Sequence, residues 1–368
     1  MSHVLFISHA RGIHGAEAVM VQAVKACAAK GAFITVVVPS IVPDEGLDEV
    51  LKQIPRVIVW ALPYRAAGKH AIRTLLVRAY NRYAVGLLRT YVQKEKVDVI
   101  YSNTSITILG AVLAKQTGVR HVWHWHEPVD KHFGWHPSLV GYYRSLAQDA
   151  ETIVCISHQQ QQEWQQTLGM TLPHAQIIYN PIKRIAVPRP LAHEGIRVGF
   201  IGHFEQRKNL PLLVRSFEQL HAAHPNTSLW LCGAIGKKDK EYVEKMTALQ
   251  SPIVEILPQT SEVTSFYRNI DILVLPSWRE TMPLVVLEAM QAGVCVLQTD
   301  QSGMKELIED GKESLFFSPY EPEALHVLLT RCMDDIYRQQ IAKAGKQKAL
   351  YLVNNQHFDQ QIQKLLCE

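Results

Sequence analysis

At 368 residues, 47% hydrophobic and 20% charged, the chain is long enough for two or three domains and excludes a disordered or fibrous protein. A net charge of +4 is too small to imply nucleic-acid binding by itself. The six cysteines stand far apart with no Cys-x-x-Cys pair, which argues against a disulfide framework or a zinc knuckle and suits a reducing cytosol.

The N-terminal residues run directly into a strand pattern, so no leader segment is expected. The apolar stretch from Ile106 to Ala114 is far short of the ~20 residues a membrane span needs, so a cytoplasmic protein is expected. Strand-like runs follow at Val4–Ser8, Ile34–Val38, Val57–Trp60, Val97–Ser102, His121–His126, Thr152–Ser157 and Gln176–Tyr179. They continue at Ile196–Gly202, Ser228–Gly233, Val254–Pro258, Ile270–Ser277, Cys295–Thr299 and Leu315–Phe317. Near-continuous apolar strands separated by helical patterns predict parallel sheets covered on both faces. Pro181, Pro188 and Pro190 mark a linker over residues 181–195, because proline removes backbone donors and disfavours helix just before itself. The fold class is therefore α/β, with two doubly wound domains of similar size. The glutamines at 159–162 predict an exposed helix, and the tail from Pro322 to Glu368 is helical in pattern.

The charge is uneven. Residues 1–184 carry +7 and residues 185–368 carry −3, and much of the excess lies between Arg65 and Lys96, where Glu95 is the one acid. There Leu75, Leu76, Ala79, Val85, Leu88 and Val92 interleave with Arg73, Arg78, Arg82 and Arg89. The pattern reads either as a cationic amphipathic helix for an anionic lipid surface or as a solvated basic face.

Four places could carry chemistry. After the first strand, Gly12 and Gly15 supply only part of a G-x-G-x-x-G turn, which reads as an anion-binding turn or as a tight strand-to-helix connection. His121, His124, His126, His132 and His136 cluster around the fifth strand, but no cysteine and no His-Glu-x-x-His pattern accompanies them. A histidine-lined cleft at the strand end is favoured over a metal site. Gly202, Arg207 and Lys208 place two cations before a helix, which suits a diphosphate or a solvated surface turn. The most specific segment is SWRETMPLVVLEAMQAG. Pro283 fits the first turn of a helix running to Gln291, which leaves Glu280 on the preceding loop and sets Glu288 inside the helix. Carboxylates so placed can accept hydrogen bonds from sugar hydroxyls while the helix N-terminus faces phosphate.

On these residues the chain resembles the retaining GT-B glycosyltransferases of glycosyl-transferase group 1, also called family 4. The likeness takes in Gly15-Ala16-Glu17, Ser102–Thr104, His126–Pro128, Cys155–Ser157, Asn180–Ile182, Gly202 to Lys208, and the Glu280/Glu288 pair with its LEAM helix. It implies two Rossmann-like domains facing across a cleft. Residues 1–182, with a returning helix at 350–368, would bind the acceptor, and residues 183–349 would bind the nucleotide sugar. The implied reaction is metal-independent hexosyl transfer with retention, requiring no cofactor beyond a UDP- or GDP-linked donor. Lys208 would neutralise the leaving diphosphate, Glu280 would bind the donor sugar with backbone amides around Met282, Pro283 and Leu284, and Glu288 would bind the ribose. Gly15 would approach the phosphates by its backbone, and His126 would line the reacting centre. The attacking hydroxyl would pass its proton to the departing phosphate. Three positions depart from the family pattern. His203 replaces a phosphate-binding arginine, although Arg207 shares its loop; His14 replaces a turn glycine; and Ser314 replaces a frequent glycine.

The family's habits imply bacterial surface polysaccharide or lipopolysaccharide synthesis on a lipid-linked glycan; the basic stretch suits peripheral attachment at the inner face of the cytoplasmic membrane, and the small net charge leads to no expected nucleic-acid partner. A nucleotide-sugar epimerase of the same fold and a non-catalytic nucleotide-sugar-binding protein remain open. A nicotinamide-dependent oxidoreductase is disfavoured, because the glycine fingerprint is incomplete and Val38 leads to Pro39 and Ser40 where an acid would close the second strand.

Overall fold

The computed structural model describes residues 2–13, 15–43, 46–65, 71–127, 140–186, 193–234, 253–260 and 262–368, with the side chains of 71–79 and 322 left out. The chain divides into two compact units, Met1–Pro181 with His357–Glu368, and Ile182–Gln356.

The first unit contains β1 (His3–Ile7), α1 (Gly15–Ala29), β2 (Phe33–Pro39), α2 (Leu47–Lys52), β3 (Val57–Leu62), α3 (Ala71–Lys94) and β4 (Val99–Asn103). It continues with α4 (Leu109–Thr117), β5 (Arg120–Trp125), α5 (Val140–Asp149), β6 (Thr152–Cys155), α6 (His158–Leu168) and β7 (Ala175–Ile177). The seven strands are ordered β3-β2-β1-β4-β5-β6-β7, and each pairing is parallel. Alternation along the strands covers both faces. Val4, Phe6, Ile34, Val36 and Tyr101 pack with α1, whereas Leu5, Ile7, Val37 and Ile100 pack with α3 and α4. Trp123, Trp125, Ile153 and Cys155 join α5 and α6.

The second unit contains β8 (Ile196–Ile201), α7 (Leu210–Ala223), β9 (Thr227–Cys232), β10 (Val254–Leu257), α8 (Val263–Tyr267), β11 (Ile272–Leu275) and α9 (Leu284–Ala292). β12 (Cys295–Thr299), β13 (Leu315–Phe317), α10 (Pro322–Arg331) and α11 (Asp335–Asn354) follow. Its sheet is ordered β10-β9-β8-β11-β12-β13 and is also parallel throughout. The two ends of this unit are clasped. The Ile182 amide donates to Gln356 Oε1 at 2.7 Å, and Gln356 Nε2 donates to the Ile182 carbonyl at 2.8 Å. The last helix, α12 (Phe358–Cys367), belongs to the first unit, where Phe358, Ile362, Leu365 and Leu366 are buried against α1.

Three expectations are corrected. Val85, Leu88 and Val92 are not a lipid-facing stripe: they are buried against β1, β4 and α4, because a helix covering a sheet must give its apolar side to that sheet. The exposed side of α3 carries Tyr80, Tyr83 and Leu87 together with Arg82, while the side chains of Arg73 and Arg78 lie outside the described residues. The glutamine run is not wholly exposed, since Gln160 is 1% exposed. Pro283 stands one position earlier than expected, at the N-cap of α9 with extended backbone. Of the linker, residues 187–192 lie outside the described set, while the Ile185 amide and Lys183 carbonyl are bonded to Gln291 of the second unit.

Candidate functional site

Each sheet reverses its winding once, between β1 and β4 in the first unit and between β8 and β11 in the second. At such a switch point the adjoining loops leave in opposite directions and open a crevice beyond the strands' carboxyl ends. The candidate residues gather at these two places.

In the second unit, the loop after β8 is fixed by a close backbone approach. A Cβ on Gly233 would lie 1.8 Å from the Gly202 carbonyl oxygen, so the position after β9 must be glycine, and Gly202 itself has φ 152°. Phe204 is fully buried and its amide donates to the Ala234 carbonyl. Those anchors carry the loop into a 3-10 turn, Gln206–Lys208, that projects Arg207 and Lys208. His203 is exposed on the same loop. After β11, Ser277 and Glu280 come back toward this turn: the Glu280 amide donates to the Gln301 carbonyl at 2.8 Å and the Trp278 amide to the Arg207 carbonyl at 3.0 Å.

The side chains then meet. Lys208 Nζ lies 2.6 Å from Glu280 Oε1, which also accepts from Ser277 Oγ at 2.6 Å, and Arg207 Nη1 donates to Glu280 Oε2 at 3.1 Å. Arg207 Nη2 holds Glu205 at 2.7 Å. Burial would raise the Glu280 pKa, but the Lys208 and Arg207 charges and the Lys208 and Ser277 hydrogen bonds outweigh it and hold the carboxyl down at about 2. Burial also lowers Lys208, partly opposed by Glu280, whereas the glutamates beside Arg207 outweigh its desolvation and raise it. Three donors on a carboxylate with roughly four acceptor positions leave room for one more donor. Met282 is buried, and Pro283 offers no side-chain acceptor to the amides that open α9 at Leu284.

Glu288, one and a half turns into α9, has a separate set of contacts. Tyr267 Oη donates to its Oε2 at 2.9 Å, and burial raises its pKa despite that bond and the Lys183 charge. Tyr267, from α8, carried no signal in the sequence beyond an aromatic core position.

In the first unit, His126 stands just after β5. Its Nε2 pairs with Asn103 Oδ1 at 3.1 Å, and its ring lies 4.0 Å from that of His124. Burial pushes the His126 pKa down to about 3, with Glu17 and Asn180 opposing, so the ring is neutral. Glu127 Oε2 accepts from the Ser105 amide at 2.9 Å and its hydroxyl at 2.6 Å. The Glu127 carbonyl accepts from Gln160 Nε2 and Trp164 Nε1, so α6 braces the His126–Glu127 turn. Thr104, a β-branched residue at φ 86°, is pinned by its amide to His124 and by its carbonyl to Trp123. Strain of this kind costs roughly 1–3 kcal/mol and collects at functional sites. Gly15 opens α1 with nothing within 4 Å of where a Cβ would sit, so its backbone is approachable. Among the described residues no three His, Cys, Asp or Glu side chains are grouped to hold a metal; His132 and His136 lie outside them.

The profile of "Glycosyl transferases group 1" matches residues 183–348, and that of "Glycosyltransferase Family 4" matches residues 13–184. A D-inositol 3-phosphate glycosyltransferase of Corynebacterium jeikeium is 28% identical over 134 residues, 34% of this chain and only 32% of that protein. An uncharacterized glycosyltransferase of Methanocaldococcus jannaschii is 24% identical over 279 residues, 73% of this chain and 74% of its own. The structure of Anabaena HepE in complex with UDP and glucose superposes with a TM-score of 0.79 at 19% identity, covering both chains in full. Two parallel Rossmann-like sheets therefore have the GT-B fold, and the chain belongs to the group 1 glycosyltransferases.

Proposed function

We propose that the protein moves a hexose from a UDP- or GDP-linked donor, held by the second unit, to a lipid-linked saccharide held by the first. Transfer retains the anomeric configuration, uses no metal and serves assembly of a bacterial surface polysaccharide or lipopolysaccharide. The carrying observation is the Glu280–Lys208–Arg207 network. As the nucleoside diphosphate leaves, negative charge builds on its phosphates and oxocarbenium character on the sugar. Lys208 and the amides opening α9 stabilise the first, and Glu280 orients the sugar by its hydroxyls. Glu288 holds the ribose. The likeness to a fold that carries UDP and glucose in HepE makes a uridine donor the first to test.

No helix among the described residues is long and apolar enough to cross a membrane. The exposed side of α3, with Tyr80, Tyr83, Leu87 and Arg82, supports peripheral attachment to anionic lipid at the inner face of the cytoplasmic membrane, with Arg73 and Arg78 adding charge. The deciding experiment incubates the protein with UDP-, GDP- and ADP-sugars plus a lipid-linked acceptor and reads free nucleoside diphosphate. Release that depends on acceptor, with a retained anomeric signal in the product, is expected. Binding without release would leave a non-catalytic carrier, and a changed donor sugar without release would mark an epimerase.

A further inference from the structure

Four of the six cysteines meet in two thiol pairs that the chemistry above does not use. Cys27 lies in the last turn of α1, and Cys367 ends α12. These helices run side by side in the same direction, as their polar contacts show. Gln22 Nε2 donates to Asp359 Oδ1 at 2.8 Å, Gln363 Nε2 donates to the Ala26 carbonyl at 2.8 Å, and Lys30 Nζ lies 3.2 Å from Glu368 Oε1. Each advance of four residues along α1 is matched by four or five along α12. That register carries the Cys27 thiol onto the Cys367 thiol, to which it is hydrogen-bonded. Cys27 is fully buried in the core under α12, whereas Cys367 is half-buried at its rim. The second pair joins Cys295, which opens β12, to Cys332, which follows α10, and both are fully buried.

Thiol reactivity follows thiolate character and exposure. The hydrogen bond from the Cys27 thiol, with one from Ser2 and the Lys30 charge behind it, outweighs partial burial and the Glu368 charge and holds the Cys367 pKa down at about 7. The same bond, together with burial and the Cys367 and Asp359 charges, pushes Cys27 up. The pair therefore shares one proton near neutral pH: Cys27 keeps it, and Cys367 presents a thiolate at the surface. Cys332 is likewise lowered by its bond from Cys295, with Arg338 and Arg331 adding to it, but that residue is 0% exposed. One pair is thus open to solvent on one side, and the other is closed.

We propose that Cys367 and Cys27 are a peroxide-sensitive modification site, in which Cys367 is oxidised first and Cys27 closes a disulfide that ties α12 to α1. The assignment stands apart from the transferase reading. The Cys367 sulfur attacks one oxygen of hydrogen peroxide; the S–O bond forms, the O–O bond breaks, and the departing hydroxide takes a proton to become water. Cys27 then gives up its proton and its sulfur attacks the Cys367 sulfenic sulfur. The S–S bond forms, the S–O bond breaks, and the hydroxide that leaves becomes a second water. Two sulfurs have lost one electron each, and one peroxide has been reduced to two waters. A dithiol reductant reverses the step by exchange. Because the first unit is made of two separate stretches of chain, this bond joins the later stretch to the earlier one covalently.

The test exposes the reduced full chain to hydrogen peroxide at neutral pH, alkylates the remaining thiols under denaturing conditions and maps all six cysteines by mass spectrometry. A linked pair of peptides carrying Cys27 and Cys367 is expected, reversed by dithiothreitol, with Cys155, Cys232, Cys295 and Cys332 alkylated. The oxidised chain should unfold about 5 °C or more above the reduced one. Cys27→Ser should stop at a Cys367 sulfenic acid that dimedone captures, and Cys367→Ser should give neither that adduct nor a disulfide at Cys27. Absence of the Cys27–Cys367 link overturns the proposal, as does a Cys295–Cys332 link formed as readily or an oxidised chain no more stable than the reduced one. Should Cys27→Ser fail to fold, Cys367→Ser, at a half-buried position, decides the order of events: Cys27 still oxidised in that variant would refute entry through Cys367.

Discussion

Replacing Glu280 by Gln removes one charge and keeps the shape, leaving Lys208 and Arg207 buried beside an amide. The cost follows from linkage. A carboxyl whose pKa falls from 4.5 to about 2 on folding stabilises the fold by roughly 3 kcal/mol when ionised. Because the folded value is the depressed one, this stability is present above the unfolded value near 4.5 and is lost as pH falls through about 2. The same relation leaves a little under half of it at pH 3. Urea denaturation at pH 7 should therefore place Glu280→Gln roughly 3 kcal/mol below wild type, with the gap about halved at pH 3, where wild-type Glu280 is protonated in the unfolded chain but still mostly ionised in the folded one. A gap below 1 kcal/mol at pH 7, or one that does not change with pH, would refute the ion-pair account.

On the proposed roles, in which Glu280 contacts sugar hydroxyls that shift as the ring flattens, Glu280→Ala should lower kcat by about 100-fold, near 2.7 kcal/mol of barrier; Glu288→Ala should instead raise the donor KM and weaken free nucleotide binding in calorimetry. The reverse pattern of nucleotide affinities would exchange the two roles. Lys208→Met should weaken nucleoside diphosphate binding by roughly tenfold or more, an effect that calorimetry at raised salt would leave largely intact, since a buried cation is poorly screened. Gly233→Ala must push its Cβ away from the Gly202 carbonyl, so thermal unfolding should show a loss of about 1–3 kcal/mol with a displaced Lys208 turn and poorer donor binding. Vesicles of anionic lipid should retain wild type and release a Tyr80→Ser, Tyr83→Ser, Arg82→Gln triple variant; equal co-sedimentation would end the membrane assignment.

Strand positions were legible because parallel strands buried on both faces must be apolar throughout, and each predicted run from Val4 to Phe317 contains or overlaps an observed strand. The Lys208–Glu280 pairing was legible only as two separate motifs, since 72 residues divide them and the fold supplies the contact. What stayed hidden was polar and long-range. Gln160 sits in a glutamine run with no local mark of burial, yet it bonds the Ile156 amide and the Trp125 and Glu127 carbonyls. The 2.8 Å pairing of His9 with Glu17 left no mark in the sequence, because charge pairing across a strand-to-helix connection has no periodicity. The apolar side of α3 was read for the wrong neighbour: periodicity tells that a helix has a dry face, and tertiary context decides what dries it.

The clasp between Ile182 and Gln356 bears on how the chain is made. The first unit is begun by residues that precede the second unit in the chain but is closed by α12, so Gln22 must find Asp359 across a separation of 337 residues. Joining ends through a flexible loop of that length costs on the order of 5 kcal/mol in chain entropy. Once residues 182–356 have folded, their clasped ends deliver α12 next to Pro181 and most of that cost has already been met. The unit synthesised second is then the one that matures first, and until it does, the α1 groove that receives Phe358, Ile362, Leu365 and Leu366 stays open on the nascent chain.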